Sequence, residues 1–372
     1  MKVIVIGSGI VGSSTAYYLA RKGIEVVVID KEHQGQATAA GAGIVCPWIT
    51  SVEDENWYQI AREGALHYPK LVSALKEDGE VNLGYKMVGA MAVSSNDEEL
   101  DSIEKRIHQR KVDTPEVGEV TRLSAQEAQR LFPPLQKDLK AVHVTGGARV
   151  DGKLLRDAMQ RGAKKHGVIH HTGEGKLIVN NNKVIGVEIN GIPIYADKVI
   201  VAAGAWTKEL LSPLGLEVAI EPQRGQIAHL VLPNEDTKQW PVILPQTSYY
   251  MVAFDDSRVV VGATRESGTG FDYRLTASGV KSVLEAGLEI APGLSDSSLK
   301  EVRIGFRPLG PDILPLIGVI SGLEGLIIST GLGASGITMG PYVGVLAAKL
   351  ALENSIDIDL GPYNPLRKPQ EV

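Results

Sequence analysis

Lys2-Val3-Ile4-Val5-Ile6-Gly7-Ser8-Gly9-Ile10-Val11-Gly12 runs an apolar strand straight into a glycine turn, and a helical pattern follows from Ser13 to Arg21. A second apolar strand, Glu25 to Ile29, ends in Asp30, with Lys31 behind it. Strand, turn, helix, strand and terminal acid make a complete dinucleotide-binding unit. Gly7 permits the tight turn, Gly9 lets a pyrophosphate approach the backbone, and Gly12 lets helix and strand pack closely, and all three glycines are candidate cofactor contacts. The pyrophosphate is expected at the helix start, around Ile10 and Val11, where free N–H groups and the helix dipole favour negative charge. Asp30 is placed to accept hydrogen bonds from a ribose diol, and a carboxylate there disfavours a 2′-phosphate and hence an NADP-type ligand.

The chain has 372 residues, enough for two domains and a sizeable core. With 44% hydrophobic and 22% charged residues it has the composition of an ordinary soluble globular protein. A formal net charge of −6 leaves no basic footprint for nucleic acid. Cys46 is the only cysteine, which excludes an internal disulfide and a cysteine metal cluster, and suits a reducing compartment. No run of about 18 apolar residues is uninterrupted. The chain begins on its first strand, so no signal peptide is expected. The expectation is a cytoplasmic protein with no obligatory membrane contact, and a homo-oligomer is compatible with it.

Further along, Ser95 to Lys111 reads as a solvated helix, and Ser124-Ala125-Gln126-Glu127 as a capping box opening another that Phe132-Pro133-Pro134 stops. Leu154 to Lys165 is amphipathic. Gly175 to Val179 and Lys183 to Ile189 flank Asn180-Asn181-Asn182, a hairpin signal. Tyr195 to Ala202 reads as one apolar strand ending at Ala203-Gly204. Gly225 to Val231, Tyr249 to Phe254 and Arg258 to Gly262 are strands, and Ser278 to Ala291 a helix. Leu326 to Ser329 then enters a second glycine turn, Gly331 to Gly336, followed by an apolar helix from about Ile337 to Leu352. The strand–glycine–helix device thus stands at both ends of the chain. This predicts a two-domain α/β protein, with a Rossmann-like nucleotide-binding domain of discontinuous segments and a strand-rich substrate domain inserted in it. The division falls at 1–80, 140–215 and 310–372 for the first domain, and 81–139 and 216–309 for the second.

Three segments favour FAD over NAD. Gln34 to Gly43 is small and glycine-rich where an NAD domain would continue its sheet. Within it Gln36, Ala37, Thr38, Gly41, Ala42 and Gly43, with Ile44 beyond, are candidate cofactor contacts, Thr38 through its hydroxyl. Ala203, Gly204 and Trp206 stand where a cofactor would cross the strand ends. The C-terminal turn, Gly333-Ala334-Ser335-Gly336-Ile337-Thr338, aims a helix start into the same crevice, suited to negative charge developing on a reduced flavin.

Together these residues resemble the D-amino-acid oxidase/glycine oxidase family of FAD-dependent oxidoreductases. The resemblance covers essentially the whole chain. It rests on Gly7–Gly12 with Asp30, Gln36–Gly43, Ala203–Trp206, Val261-Gly262-Ala263-Thr264, Gly305-Phe306-Arg307-Pro308 with Pro311-Asp312, and Gly331–Thr338. Within the family the chain looks most like bacterial glycine oxidases and small D-amino-acid dehydrogenases. The resemblance implies hydride transfer from Cα of a small amino-acid substrate to flavin N5, giving an imine that hydrolyses to a keto acid and ammonia. The expected substrate is glycine or a D-amino acid; the alternative is a secondary amine of the sarcosine or proline type. Arg307 matches the family's carboxylate-binding arginine and also faces the cofactor. Tyr250 matches the tyrosine that reaches the same carboxylate, and Tyr249 would point to the opposite face if this segment is a strand.

No general base is demanded, and His67, His143, His170 and His171 lack a partner pattern. Asp312 reads as structural. Two departures from the family stand out. Leu332-Gly333-Ala334-Ser335 lacks the second polar or basic residue often found before the final helix, so the carboxylate clamp looks lighter. The family's cysteine-tethered branch has its cysteine near the position of Gly305, whereas here only Cys46 exists, so FAD is expected to be non-covalent. Ile44, Cys46 or Trp48 could wall the substrate pocket. Two rival readings stay open: an NAD-dependent dehydrogenase using only the N-terminal unit, and a non-catalytic flavoprotein subunit.

Overall fold

Val3, Ile4 and Val5 have no exposed surface, because the Lys2–Ile6 strand lies inside a sheet covered on both faces. The computed structural model describes residues 1–368, so the last four positions of the 310–372 segment lie outside the described residues. Lys2–Ile6 pairs in parallel with Glu25–Asp30 on one side and Lys198–Val201 on the other. Ile169–Thr172 and Leu323–Thr330 extend the parallel sheet outward. The Gly175–Asn180 and Lys183–Ile189 hairpin, Ile192–Tyr195 and Leu316–Ile320 complete nine strands among the described residues. Asn181 and Asn182 turn that hairpin with φ of 48° and 58°, left-handed values that asparagine tolerates.

The single strand expected from Tyr195 to Ala202 is two. Ile192–Tyr195 pairs antiparallel with Lys183–Ile189, while Lys198–Val201 joins the central sheet. Asp197 makes the break. Its N–H donates to the Lys2 carbonyl at 2.9 Å and its carboxylate accepts from the Lys2 N–H at 2.7 Å.

Side-chain alternation divides the sheet's two faces. Val3, Val5, Val26 and Val28 pack in one core with the helices Ile10–Arg21, Glu55–Glu77, Gly152–Lys165 and Gly336–Ala351. Ile4, Ile6, Val27 and Ile29 pack in another with Leu211, Val218, Ile220 and Leu316. The 23-residue Glu55–Glu77 helix, unassigned in the sequence, is capped by the Asp54 carboxylate, which accepts from the Trp57 N–H at 2.8 Å. No helix is long and apolar enough to cross a membrane among the described residues.

The second sheet has eight strands among the described residues. In spatial order they are Ser298–Leu309, Glu221–Val231, Arg258–Gly262, Tyr250–Ala253, Val242–Pro245, Ala90–Ser94, Lys140–Val144 and Val120–Leu123. It is mixed, since Val242–Pro245 and Ala90–Ser94 run parallel. Lys140–Val144 falls inside the 140–215 segment read as nucleotide-binding, yet its ladder partners are Ala90–Ser94 and Val120–Leu123, so it belongs to this sheet. The Ser95–Lys111 helix forms as Asp97–Asp113, and it buries Leu100, Ile103 and Ile107 against this part of the fold. The two sheets give an α/β two-domain architecture.

The first and last helices touch almost backbone to backbone. Ser14 Oγ donates to the Pro341 carbonyl at 2.6 Å, and Thr15 Oγ1 to the Gly344 carbonyl at 3.0 Å. A Cβ at Gly344 would lie 2.6 Å from the Val11 carbonyl oxygen, which cannot move without its helix. Gly344→Ala is therefore expected to destabilise the protein by about 1–3 kcal/mol through overpacking. Thermal unfolding checks this; an unchanged Tm would mean that the contact is looser than described.

Candidate functional site

A cavity of about 630 Å³ opens beyond the carboxyl ends of the central strands, where open α/β sheets bind ligands. It runs continuously from Asp30 and Trp206 to Arg307 and Tyr250.

At its first end, Gly7 (φ 100°) packs so closely that a Cβ would sit 2.3 Å from the Ala202 carbonyl oxygen. Gly9 differs. A Cβ there would meet only the Thr38 hydroxyl, at 3.5 Å, so the protein's own packing does not demand glycine, and the open side is the cavity. Gly12, expected among the cofactor contacts, does not line the cavity. Its Cβ would fall 1.9 Å from the Gly7 carbonyl oxygen, so it serves helix–strand packing alone. Ile10 and Val11 are on the wall, and the Ile10 N–H donates to Thr38 Oγ1 at 3.0 Å.

The Asp30 carboxylate accepts from the Ser8 N–H and hydroxyl, the Glu32 N–H and the Gln36 amide. Those four donors match a carboxylate's four lone-pair sites, so a ribose diol would exchange with one of them. Lys31 is also on the wall, tied to Glu174 at 3.0 Å. Ala37, Gly41, Ala42, Gly43 and Ile44 also line the cavity, as do Ala203, Gly204 and Trp206.

The second glycine turn closes the far side. Gly333, Ala334, Ser335, Gly336, Ile337 and Thr338 all border the cavity. Thr338 Oγ1 donates to the Ile44 carbonyl at 2.9 Å, which locks this turn to the first loop. Neither the Ile10–Arg21 nor the Gly336–Ala351 helix has a side-chain cap, and both begin on the cavity wall. Beside them the Ser329 hydroxyl is buried with no partner among the described residues. Buried hydroxyls seldom stay unpaired. Two uncapped helix starts, an open Gly9 and an orphaned hydroxyl suit a long anionic ligand, and the residues fit FAD.

Arg307 lies on the Ser298–Leu309 strand and Tyr250 starts the Tyr250–Ala253 strand, with two strands between them. Gly225 and Gly262 leave that face of the sheet bare. A Cβ at Gly225 would be 2.8 Å from the Arg307 guanidinium, and one at Gly262 would be 3.0 Å from the Tyr250 hydroxyl. Arg307 Nη1 donates to the Thr264 carbonyl at 2.9 Å and to Gln223 Oε1 at 3.3 Å. It has no acidic partner among the described residues. Burial pulls the Arg307 pKa down, Tyr250 opposes this, and the neighbouring Arg265 adds to it. Burial pushes the Tyr250 phenol up, against the field of Arg307, so it remains a hydrogen-bond donor at neutral pH. Tyr249 precedes the strand, so strand alternation does not apply to it, and both tyrosines border the cavity.

Ile44 and Cys46 wall the cavity, but Trp48 does not; it is buried, with its indole N–H on the Gly146 carbonyl. His67, His143, His170 and His171 are absent from the wall. Asp312 is tied to Arg367 at 2.6 Å. His33, not singled out in the sequence, does line the cavity and stacks on Trp206 at 4.4 Å. Thr50, Ser51 and Val52 also form wall. Arg110 straps their backbone, donating to the carbonyls of Trp48, Thr50 and Val52 at 3.0, 2.6 and 2.7 Å. Arg265 is a further wall residue that the sequence reading passed over, one position beyond Val261–Thr264.

The family model described as FAD dependent oxidoreductase (DAO) matches residues 2–350. The chain belongs to this family. The enzyme is 44% identical over 97% of its length to the uncharacterized oxidoreductase YurR of Bacillus subtilis, covering 98% of that protein. The crystal structure of iminodiacetate oxidase (IdaA) from Chelativorans sp. BNC1 superposes with a TM-score of 0.96 at 49% identity, covering 99% of this chain and 100% of the other. Glycine oxidase of Pseudomonas aeruginosa is more distant, at 29% identity over 98% of both chains. The enzyme is an FAD-dependent oxidoreductase that oxidises amines or amino acids at CH–NH2 or CH–NH bonds.

Gly225→Ala tests the bare lane under Arg307. The methyl group must displace the guanidinium, so KM for a carboxylate-bearing amine should rise at least about tenfold, as expected for a weakened charged hydrogen bond, with flavin content unchanged. Unaltered KM would show that the guanidinium's position does not depend on the missing side chain.

Proposed function

We propose that the enzyme oxidises a secondary amine of the N-substituted glycine type at the carbon beside its carboxylate. The observation that carries this is Arg307, a guanidinium on the cavity wall, anchored to the Thr264 carbonyl, beside Tyr250 and without an acidic partner among the described residues. Such a cation calls for an anion supplied by the ligand. The preference for a secondary amine over glycine or a D-amino acid is supported by 49% identity to iminodiacetate oxidase against 29% to a glycine oxidase.

We assign the FAD pyrophosphate to Gly7, Gly9, Ile10 and Val11, its ribose to Asp30, and its isoalloxazine end to Gly333–Thr338. Bound FAD supplies a two-electron acceptor for the hydride leaving Cα. Arg307 and Tyr250 pair with the substrate carboxylate and so present the adjacent C–H in one orientation. The nitrogen must be neutral when the hydride leaves, and its proton passes to solvent, so no protein base is needed. Water then adds to the C=N carbon and the C–N bond breaks, giving a 2-oxo acid and the freed amine.

Anaerobic bleaching of the flavin by sarcosine and N-ethylglycine, compared with glycine and D-alanine, tests the substrate class. The N-substituted compounds should react with the higher kcat/KM; bleaching by primary amino acids alone would overturn the proposal. Arg307→Ala should remove about 2–5 kcal/mol of transition-state binding, the cost of leaving a charged partner unpaired.

We further propose that FAD is held without a covalent bond. Cys46 is buried, and burial pushes its thiol up to about 12. At pH 8 only about one molecule in 10⁴ carries the reactive thiolate. Acid precipitation should release all flavin into the supernatant, and Cys46 should resist alkylation in the folded enzyme at pH 8. Flavin retained in the pellet would contradict this.

A further inference from the structure

We infer that Tyr68, which lies off the cavity wall, is a positioning residue for the flavin. Its hydroxyl stands in for the backbone N–H that Pro341 lacks, and so fixes the start of the Gly336–Ala351 helix. This rests on the assignment of the isoalloxazine end to Gly333–Thr338 made above.

Pro341 is buried inside that helix. A helical N–H at this position would donate to the carbonyl four residues back, that of Ile337. Proline has no such donor, and its ring crowds the same carbonyl. A buried backbone carbonyl needs another partner. Tyr68, on the Glu55–Glu77 helix, supplies it: the hydroxyl donates to the Ile337 carbonyl at 2.5 Å. The Tyr68 side chain is fully buried and stacks on Tyr85, with ring centroids 5.3 Å apart. Burial, with Tyr85 beside it, raises the phenol well above its ordinary pKa, so it stays a donor.

The surrounding contacts leave the helix start little play. One turn before Tyr68, a Cβ at Gly64 would lie 2.5 Å from the Thr338 carbonyl oxygen, so the two helices meet at the backbone. The Ile337 side chain fills a notch in which a Cβ at Gly41 or at Gly152 would lie 2.8 Å from it. Ile337 and Thr338 both border the cavity. The notch and the Thr338 hydroxyl act on side chains; Tyr68 acts on the peptide itself. The free N–H groups of this first turn are the donors available to negative charge gained on reduction, and their direction follows the tilt of these peptides. A helix start that can tilt holds that charge less well than one that cannot.

The test is a double-mutant cycle on the holoenzyme with Tyr68→Phe and Pro341→Ala. The first substitution deletes the donor and keeps the ring stack; the second restores the missing N–H. FAD dissociation is followed by recovery of flavin fluorescence on dilution, and the midpoint potential by titration against a reference dye. Tyr68→Phe alone should weaken FAD binding about 5- to 20-fold, the cost of an unpaired buried carbonyl, and make the potential more negative. In the Pro341→Ala background it should change binding less than about twofold and leave the potential in place. Equal effects in the two backgrounds overturn the role of Tyr68 and leave the assignment of the flavin end standing. Coupled effects on thermal unfolding, with FAD binding and potential unchanged throughout, overturn both the role and that assignment.

Discussion

The structure hangs on a contact between two helices that leaves no room for side chains. Ile10–Arg21 and Gly336–Ala351 come from opposite ends of the chain, and Gly344 meets the Val11 backbone where hydroxyls of Ser14 and Thr15 reach across to carbonyls of Pro341 and Gly344. Because this contact is backbone to backbone, the two helix starts have little freedom relative to each other. Both are uncapped and both open on one crevice. Two positive dipole ends there favour an anion, and this suits the crevice to an anionic cofactor.

From that crevice the cavity continues to the second sheet, and the character of its wall changes on the way. Near Asp30 it offers acceptors and aromatic faces, with His33 stacked on Trp206 and Trp206 on Phe271. Near Arg307 it offers cations on a sheet surface cleared by Gly225 and Gly262. One wall suits a nucleotide and the other a small anion, and in the function proposed above the chemistry falls where they meet.

Much of this was legible in the chain because it depends on local rules. The Gly7–Gly12 turn, the Asn181-Asn182 hairpin and the Ser124 capping box are short-range devices whose residue types dictate their geometry. What escaped depends on partners distant in sequence. The Ser298–Leu309 strand, which carries Arg307, begins with exposed Ser298, Leu299 and Lys300, and is recognisable only by its long pairing with Glu221–Val231. Lys140–Val144 reads equally well in either domain until its ladder partners are known. Gly12 was expected among the cofactor contacts because the motif groups it with Gly7 and Gly9, while its own surroundings are wholly protein. Arg265 escaped for a different reason: an exposed arginine looks ordinary until the fold places it on the cavity wall.

The Arg110 strap bears on how this enzyme can change. It holds the wall segment at the carbonyls of Trp48, Thr50 and Val52, not by their side chains. The path of that wall is therefore set by a residue on the Asp97–Asp113 helix, helped by Thr50 Oγ1 accepting from the Val52 N–H and by Val52 packing on the core, while the exposed side chain of Ser51 is left free to vary. Substrate range can drift by substitution at Ser51 while the backbone of the wall keeps its course. The strap separates what evolution can tune from what it must conserve.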